Sequence, residues 1–283
     1  MNIHHLRLIV IAGCQRSGTT LTGQILGAHP DTFLIDEFDG AYPFIEAFTG
    51  RKTPSEEALD HIVRTSAEKY QDHRAGFSQL SDLEGCAVVL KAPNVTYDYR
   101  ILAPLKDRLR IVFPVRDCRA VVASILNLTS VPMIRNQTRR LKEHTELSAE
   151  FSDVVRHLEN PDVPDSHKAA LIWSVKTGMY RRFSDAGLAP FVFRYEDLIS
   201  EAESLIRAML MHCGLSPQHD VMNYPDILKG MGPGNTSRQS AIQTLSLNKW
   251  KDRFTQEDEA EILKIAGDTI TGIPEWARSS VTE

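Results

Sequence analysis

Four short apolar runs punctuate the chain, at Leu8–Ala12, Ala87–Leu90, Leu109–Val115 and Phe191–Phe193. Each is followed by a polar residue and then by a stretch with helical spacing. Runs that stay apolar at successive positions belong to strands covered on both faces, and such strands alternating with helices build a parallel sheet. The helices are marked by their stops. One runs from about Thr20 to Ala28 and halts at His29-Pro30. Another leaves Arg116 and continues through Leu126, and a third follows Arg194-Tyr195-Glu196-Asp197 and stops at Cys213-Gly214, a good glycine terminus. The pattern predicts an α/β fold, a parallel sheet flanked by helices on both faces, as a single domain over 1–283. The segment from Pro132 to His167 departs from it, being polar, charge-rich and broken by Pro161 and Pro164. It reads as a helical, lid-like insertion at about 130–167 over the sheet edge.

Ligands on open parallel sheets sit beyond the carboxyl ends of the strands. Arg16, Lys91, Arg116 and Tyr195 all fall at or just after those ends. The first of these turns is Gly13-Cys14-Gln15-Arg16-Ser17-Gly18-Thr19-Thr20, a Gly-x4-Gly frame between a strand and a helix, which is the frame of a phosphate-cradling P-loop. That frame places the sheet in the three-layer architecture of P-loop nucleotide hydrolases. Thr19 stands where a nucleoside triphosphatase carries its lysine. A triphosphate needs that fixed cation and usually a magnesium ion. Backbone N–H groups, two threonine hydroxyls and Arg16 suit an anion with less charge, such as a phosphosulfate.

Composition narrows the context. The 283 residues carry a formal net charge of −5, which gives no nucleic-acid footprint, so cations that grip an anionic ligand must be gathered locally. Cys14, Cys86, Cys118 and Cys213 lie far apart and without metal-ligand spacing, and read as free thiols in a reducing compartment. No stretch has the apolar length of a membrane span, and a cytoplasmic location is expected.

The loop Gly-Cys-Gln-Arg-Ser-Gly-Thr-Thr-Leu resembles the 5′-phosphosulfate loop of sulfotransferases that use 3′-phosphoadenylyl sulfate (PAPS). A second segment, Arg116-Asp117-Cys118-Arg119-Ala120-Val121-Val122-Ala123-Ser124, resembles their 3′-phosphate segment, with the same interval from arginine to serine. Arg194-Tyr195-Glu196-Asp197-Leu198 resembles the segment near the adenine pocket, with Tyr195 able to stack on or edge the purine and Glu196 and Asp197 read as helix caps. Asn235-Thr236-Ser237-Arg238 and Ser246-Leu247-Asn248-Lys249-Trp250-Lys251 resemble the loop that closes over the nucleotide, with Trp250 an anchor for the final helix. The resemblance implies PAPS as co-substrate, 3′,5′-ADP as product and no metal. It implies Arg16, Ser17, Gly18, Thr19, Thr20, Arg116, Ser124, Tyr195, Ser237, Arg238, Ser246 and Lys249 as nucleotide-binding residues.

For catalysis the resemblance implies Arg16 and Lys91 as stabilisers of charge on the leaving oxygen. The histidine base of the cytosolic branch would stand where Pro93 is, whereas the branch that includes protein-tyrosine sulfotransferases has a glutamate after the first helix, where Glu37 lies. Asp36, Asp39 and His29 remain alternatives to Glu37. The partners implied are a small-molecule, glycan or lipid acceptor, or a tyrosine, with a homodimer left open. Arg135, Arg139, Arg140 and Lys142 on the insertion could meet an acidic acceptor or form a solvated helix face. A P-loop kinase with Asp117 as a magnesium ligand, and a non-catalytic nucleotide-binding module, are the competing functions.

Overall fold

The computed structural model describes residues 3–232, 236–242 and 247–273. The four apolar runs form Arg7–Ile11 (β1), Ala87–Lys91 (β3), Leu109–Val115 (β4) and Phe191–Arg194 (β5). A further strand, Thr32–Ile35 (β2), is one that the count of apolar runs leaves out. Its residues are β-branched, aromatic or aliphatic, as strands prefer, but it follows the first helix so closely that it reads as that helix's tail.

All five strands are parallel, in the order β2-β3-β1-β4-β5. From central β1 the chain first crosses to the β2 edge through Thr19–Gly27 (α1), and from β3 it later crosses to the opposite side as β4. The two crossovers part at the carboxyl end of β1, where a crevice opens. Helices Tyr42–Phe48 (α2), Glu56–Tyr70 (α3) and Tyr99–Leu102 (α4) flank the β2 and β3 connections. After β4 come Cys118–Leu126 (α5) and the insertion, which is helical as expected: Met133–Glu143 (α6), Thr145–Glu150 (α7) and Ser152–Glu159 (α8). Asp165–Gly178 (α9) and Tyr180–Asp185 (α10) lead into β5. Beyond β5, where one helix was expected, two short ones form, Tyr195–Ser200 (α11) and Ala202–His212 (α12), followed by Tyr224–Ile227 (α13) and Gln256–Gly272 (α14).

Successive strand residues point to opposite faces, and both faces are dry. Val10, Val88, Leu90, Ile111 and Phe113 pack into one core with α5 and α9, whereas Ile9, Ile11, Val89 and Val112 pack into another with α1 and α12. Each such side chain, fully buried, contributes about 1.5–3 kcal/mol. The sheet is thus a rigid base, and what its carboxyl ends carry is held in place.

Candidate active site

The turn after β1 is held by a side chain from the β3 exit, whose hydroxyl also reaches the Pro93 carbonyl at 2.8 Å. Thr96, buried beside it, accepts a hydrogen bond from the Gly13 N–H at 2.7 Å and donates to the Gly13 carbonyl at 3.1 Å. Arg16 has a left-handed backbone (φ 70°), a conformation uncommon for a side chain of that size and found where a turn over-determines it. Gly18, at φ 94°, precedes the first residue of α1. A Cβ there would stand 2.3 Å from the Tyr195 ring, so glycine is required both for the backbone and for the close approach of that ring.

Around this turn the nucleotide-side candidates gather. A cleft of about 410 Å³ is lined by Arg16, Gly18, Thr19, Thr20, Arg116, Ser124, Tyr195 and Lys249 together with Trp250. Arg16 Nε donates to Ser124 Oγ at 2.9 Å, and Arg116 donates to the Arg16 carbonyl at 3.2 Å. The Arg116 guanidinium lies 4.5 Å from the centre of the Tyr195 ring. Burial, and after it the neighbouring Arg116, lower the pKa of the Arg16 guanidinium. Two arginines held this close in a partly dewatered cleft are complementary to an anion, which would relieve both effects. Tyr195 is only 9% exposed and packs on Gly18, so it offers the cleft an edge more than a stacking face.

A second cavity, about 190 Å³, adjoins the first across Arg16, Thr19 and Thr20, which line both. Its other walls include Glu37, Asn94, Arg139 and Arg140. Glu37 follows β2 and is fixed from behind: Lys91 Nζ lies 2.8 Å from Glu37 Oε1 and 2.8 Å from Asp36 Oδ1. Asp36 Oδ2 in turn receives Arg238 Nη2 at 2.8 Å, and the Arg238 guanidinium covers the Tyr70 ring. Burial alone would raise the Asp36 carboxyl, but Lys91 and Arg238 outweigh it and hold it below the usual carboxylate range.

This network revises several expected roles. Lys91 is 2% exposed, lines neither cavity, and pairs with both Glu37 and Asp36. Arg238 is turned inward to Asp36 and to the Met231 carbonyl on a two-strand pair, Met231–Gly232 and Thr236–Ser237, and lines neither cavity; nor does Ser237. Ser17 is fully buried behind the turn, lines neither cavity, and donates its N–H to the Cys14 carbonyl at 3.3 Å. Ser246 lies outside the described residues. Asp36, paired with two cations, is not a free base. His29 sits at the other end of β2 with both ring nitrogens bonded, to the Asp31 N–H and the Ser216 carbonyl. In the cluster of His29, Asp31 and His219, His29 therefore has no ring lone pair to spare.

Asp117 caps α5 through the Arg119 and Ala120 N–H groups and takes a two-point ion pair from Arg119. A carboxylate so occupied lacks the open lone pairs of a magnesium ligand. Glu196 and Asp197 both stand in the first turn of α11, where Glu196 accepts the Asp117 N–H and its own N–H, and Asp197 pairs with Arg194. Trp250 packs on Ala120 and Ala123 of α5 under the Arg119 guanidinium, anchoring the segment before α14 to the cleft wall.

A buried lysine that the sequence did not single out completes the floor. Lys176 on α9 donates to Gln15 Oε1 and the Pro93 carbonyl, both at 2.7 Å, and to Gln137 Oε1 of α6 at 3.2 Å. Burial pushes its ammonium down to about 7. The lysine joins the turn, the β3 exit and the insertion at one point.

A family model described as "Sulfotransferase family" matches residues 9–220. Among solved structures, the "Sulfotransferase Domain from the Curacin Biosynthetic Pathway" aligns with a TM-score of 0.56 at 14% identity, over 93% of this chain and 96% of that one. The "Sulfotransferase Domain from the Synechococcus PCC 7002 Olefin Synthase" aligns with a TM-score of 0.54 at 15% identity, over 95% of each chain. At these identities the likeness is one of fold. A search of curated protein sequences gives no significant match.

Proposed function

The chain belongs to the sulfotransferase family, and from that premise we propose that it transfers the sulfuryl group of PAPS to an acceptor hydroxyl with Glu37 as general base. The observation that carries this is the meeting of two cavities at Arg16, Thr19 and Thr20, one lined by Arg116, Ser124 and Tyr195, the other by Glu37. A donor nucleotide in the first cavity and an acceptor in the second would face each other across those three residues. The 5′-phosphosulfate belongs at the α1 N-terminus, where N–H groups and the helix dipole favour an anion. Arg116 and Ser124 are the partners offered to the 3′-phosphate.

In the reaction the acceptor oxygen forms a bond to sulfur while the bond from sulfur to the bridging oxygen breaks, leaving 3′,5′-ADP. The acceptor's proton passes to Glu37, whose other task, staying in position, falls to Lys91. Charge growing on the bridging oxygen is met by Arg16 and the helix N-terminus, so that positioning and electrostatics supply the rate, as in phosphoryl transfer. A glutamate base at Glu37 is the reading that corresponds to the glutamate-base branch. The magnesium-dependent kinase alternative finds Asp117 committed to Arg119 and no lysine at Thr19.

Isothermal titration tests the donor assignment. 3′,5′-ADP should bind without metal, and 5′-AMP more weakly. Magnesium-dependent binding of ATP with no binding of 3′,5′-ADP would overturn it.

A further inference from the structure

Next to the Glu37 cavity lies a much larger one, about 860 Å³, between the C-terminal end of α5 and helices α6, α8 and α9. Leu128, Val131, Met133 and Arg139 line both, so the two share a wall. The larger chamber opens widely to solvent, and its volume is in the range of drug-sized ligand sites. Its lining is aliphatic in the middle, with Ile125, Ile134 and Leu158 added to the shared residues.

Its charged rim is already paired in part. Arg139 reaches Glu143 at 3.7 Å, and Lys142 pairs with Glu159. Lys168 is different. It is 9% exposed, lines the chamber from α9, and its ammonium makes no hydrogen bond or ion pair among the described residues. Asp165, one turn earlier on the same helix and also at the chamber, is exposed and does not reach it. The Lys168 stem is buried while its unpaired ammonium stays in reach of solvent at the edge of the chamber, and an anion brought to it gains a charge-assisted contact.

We propose that this chamber receives the acceptor, and that the acceptor is an amphiphile: an apolar body along the aliphatic wall, an anionic carboxylate or phosphate group at Lys168, and its hydroxyl beyond Met133 facing Glu37. The proposal rests on the sulfotransferase reading for the word acceptor, but the binding of an anionic amphiphile stands apart from it and is measured apart from it. The chain's unassigned specificity thus sits on α6, α8 and α9, not on the nucleotide cleft.

The test uses the full chain and three probes of one chain length, dodecanoate, dodecyl phosphate and dodecanol, with binding followed by titration calorimetry, and 3′,5′-ADP titrated in parallel. One or both anions should bind at least about tenfold more tightly than the alcohol, the usual worth of one charge-assisted contact. The stronger of the two identifies the head group. Lys168→Met, which keeps length and removes charge, should collapse that preference, and Ile134→Trp, which puts a bulky ring on the aliphatic wall, should weaken binding of all three. Both variants should keep wild-type affinity for 3′,5′-ADP. Absence of binding by either anion, or an anion preference intact in Lys168→Met, or undiminished binding in Ile134→Trp would overturn the proposal. Failure of the wild-type protein to bind 3′,5′-ADP would instead strike the donor assignment and leave the chamber's ligand as measured.

Discussion

Arg116 and Glu37 divide the proposed reaction between recognition and chemistry, and each can be tested alone. Arg116 lies in the cleft with Ser124, and the 3′-phosphate is the group that 3′,5′-ADP has and 5′-AMP lacks. Arg116→Ala should therefore weaken 3′,5′-ADP by about 1.5–3 kcal/mol and 5′-AMP much less, read by titration of both ligands. Equal losses would make Arg116 structural. Glu37→Gln keeps the volume and the contact to Lys91 but cannot take a proton. Single-turnover transfer from labelled PAPS should fall by about two to four orders of magnitude, with 3′,5′-ADP affinity kept. Near-normal chemistry in that variant would move the base elsewhere. Arg116 is legible in the sequence because it follows an apolar run, and Glu37 through the resemblance, as the acid after the first helix. The partners that fix them are not, since Lys91 meets Glu37 from 54 positions away and Arg238 meets Asp36 from 202. No local pattern marks a contact closed only by the fold. Lys91 and Arg238 thus pair with the protein's own carboxylates, a contact that their sequence positions do not announce.

At the scale of elements, apolar runs and helix stops are local signals, and they locate β1, β3, β4, β5, α1 and α5 closely. β2 escaped because four residues between a helix stop and an acidic pair give too short a window for periodicity to speak. The insertion's helices were foreseen, but not what ties α6 to the rest, since Lys176 looks in sequence like any helical lysine. Its titration gives the tie a measurable signature. The unfolded chain holds a lysine proton up to about 10.4, whereas the folded chain releases it near 7. Between those values the unfolded state binds the extra proton, so stability rises with pH, is fully gained above the unfolded value, and is lost as pH falls through about 7. Urea midpoints taken between neutral pH and about pH 10 should show this slope in the wild-type chain and a flatter one in Lys176→Met. An unchanged slope would show that Lys176 keeps its proton, held by the three acceptors around it.

Over the whole molecule, a chain of net charge −5 gathers Arg16, Arg116 and Lys249 around one cleft, so its attraction for an anionic nucleotide is short-ranged and sharply local. Among the described residues no helix is long and apolar enough to cross a membrane. The ion pair between Asp36 and Arg238 has a temporal side as well. The ribosome makes Asp36 early and Arg238 202 positions later. At about 5–20 residues per second, that is about 10–40 s of synthesis. Throughout that interval Lys91, once made, is the sole one of the two cations available to the neighbouring carboxylates Asp36 and Glu37, and the Tyr70 ring lacks its guanidinium cover. Asp36 therefore gains its second cation only when the late strand pair is made, and until then Lys91 alone steadies the two neighbouring carboxylates.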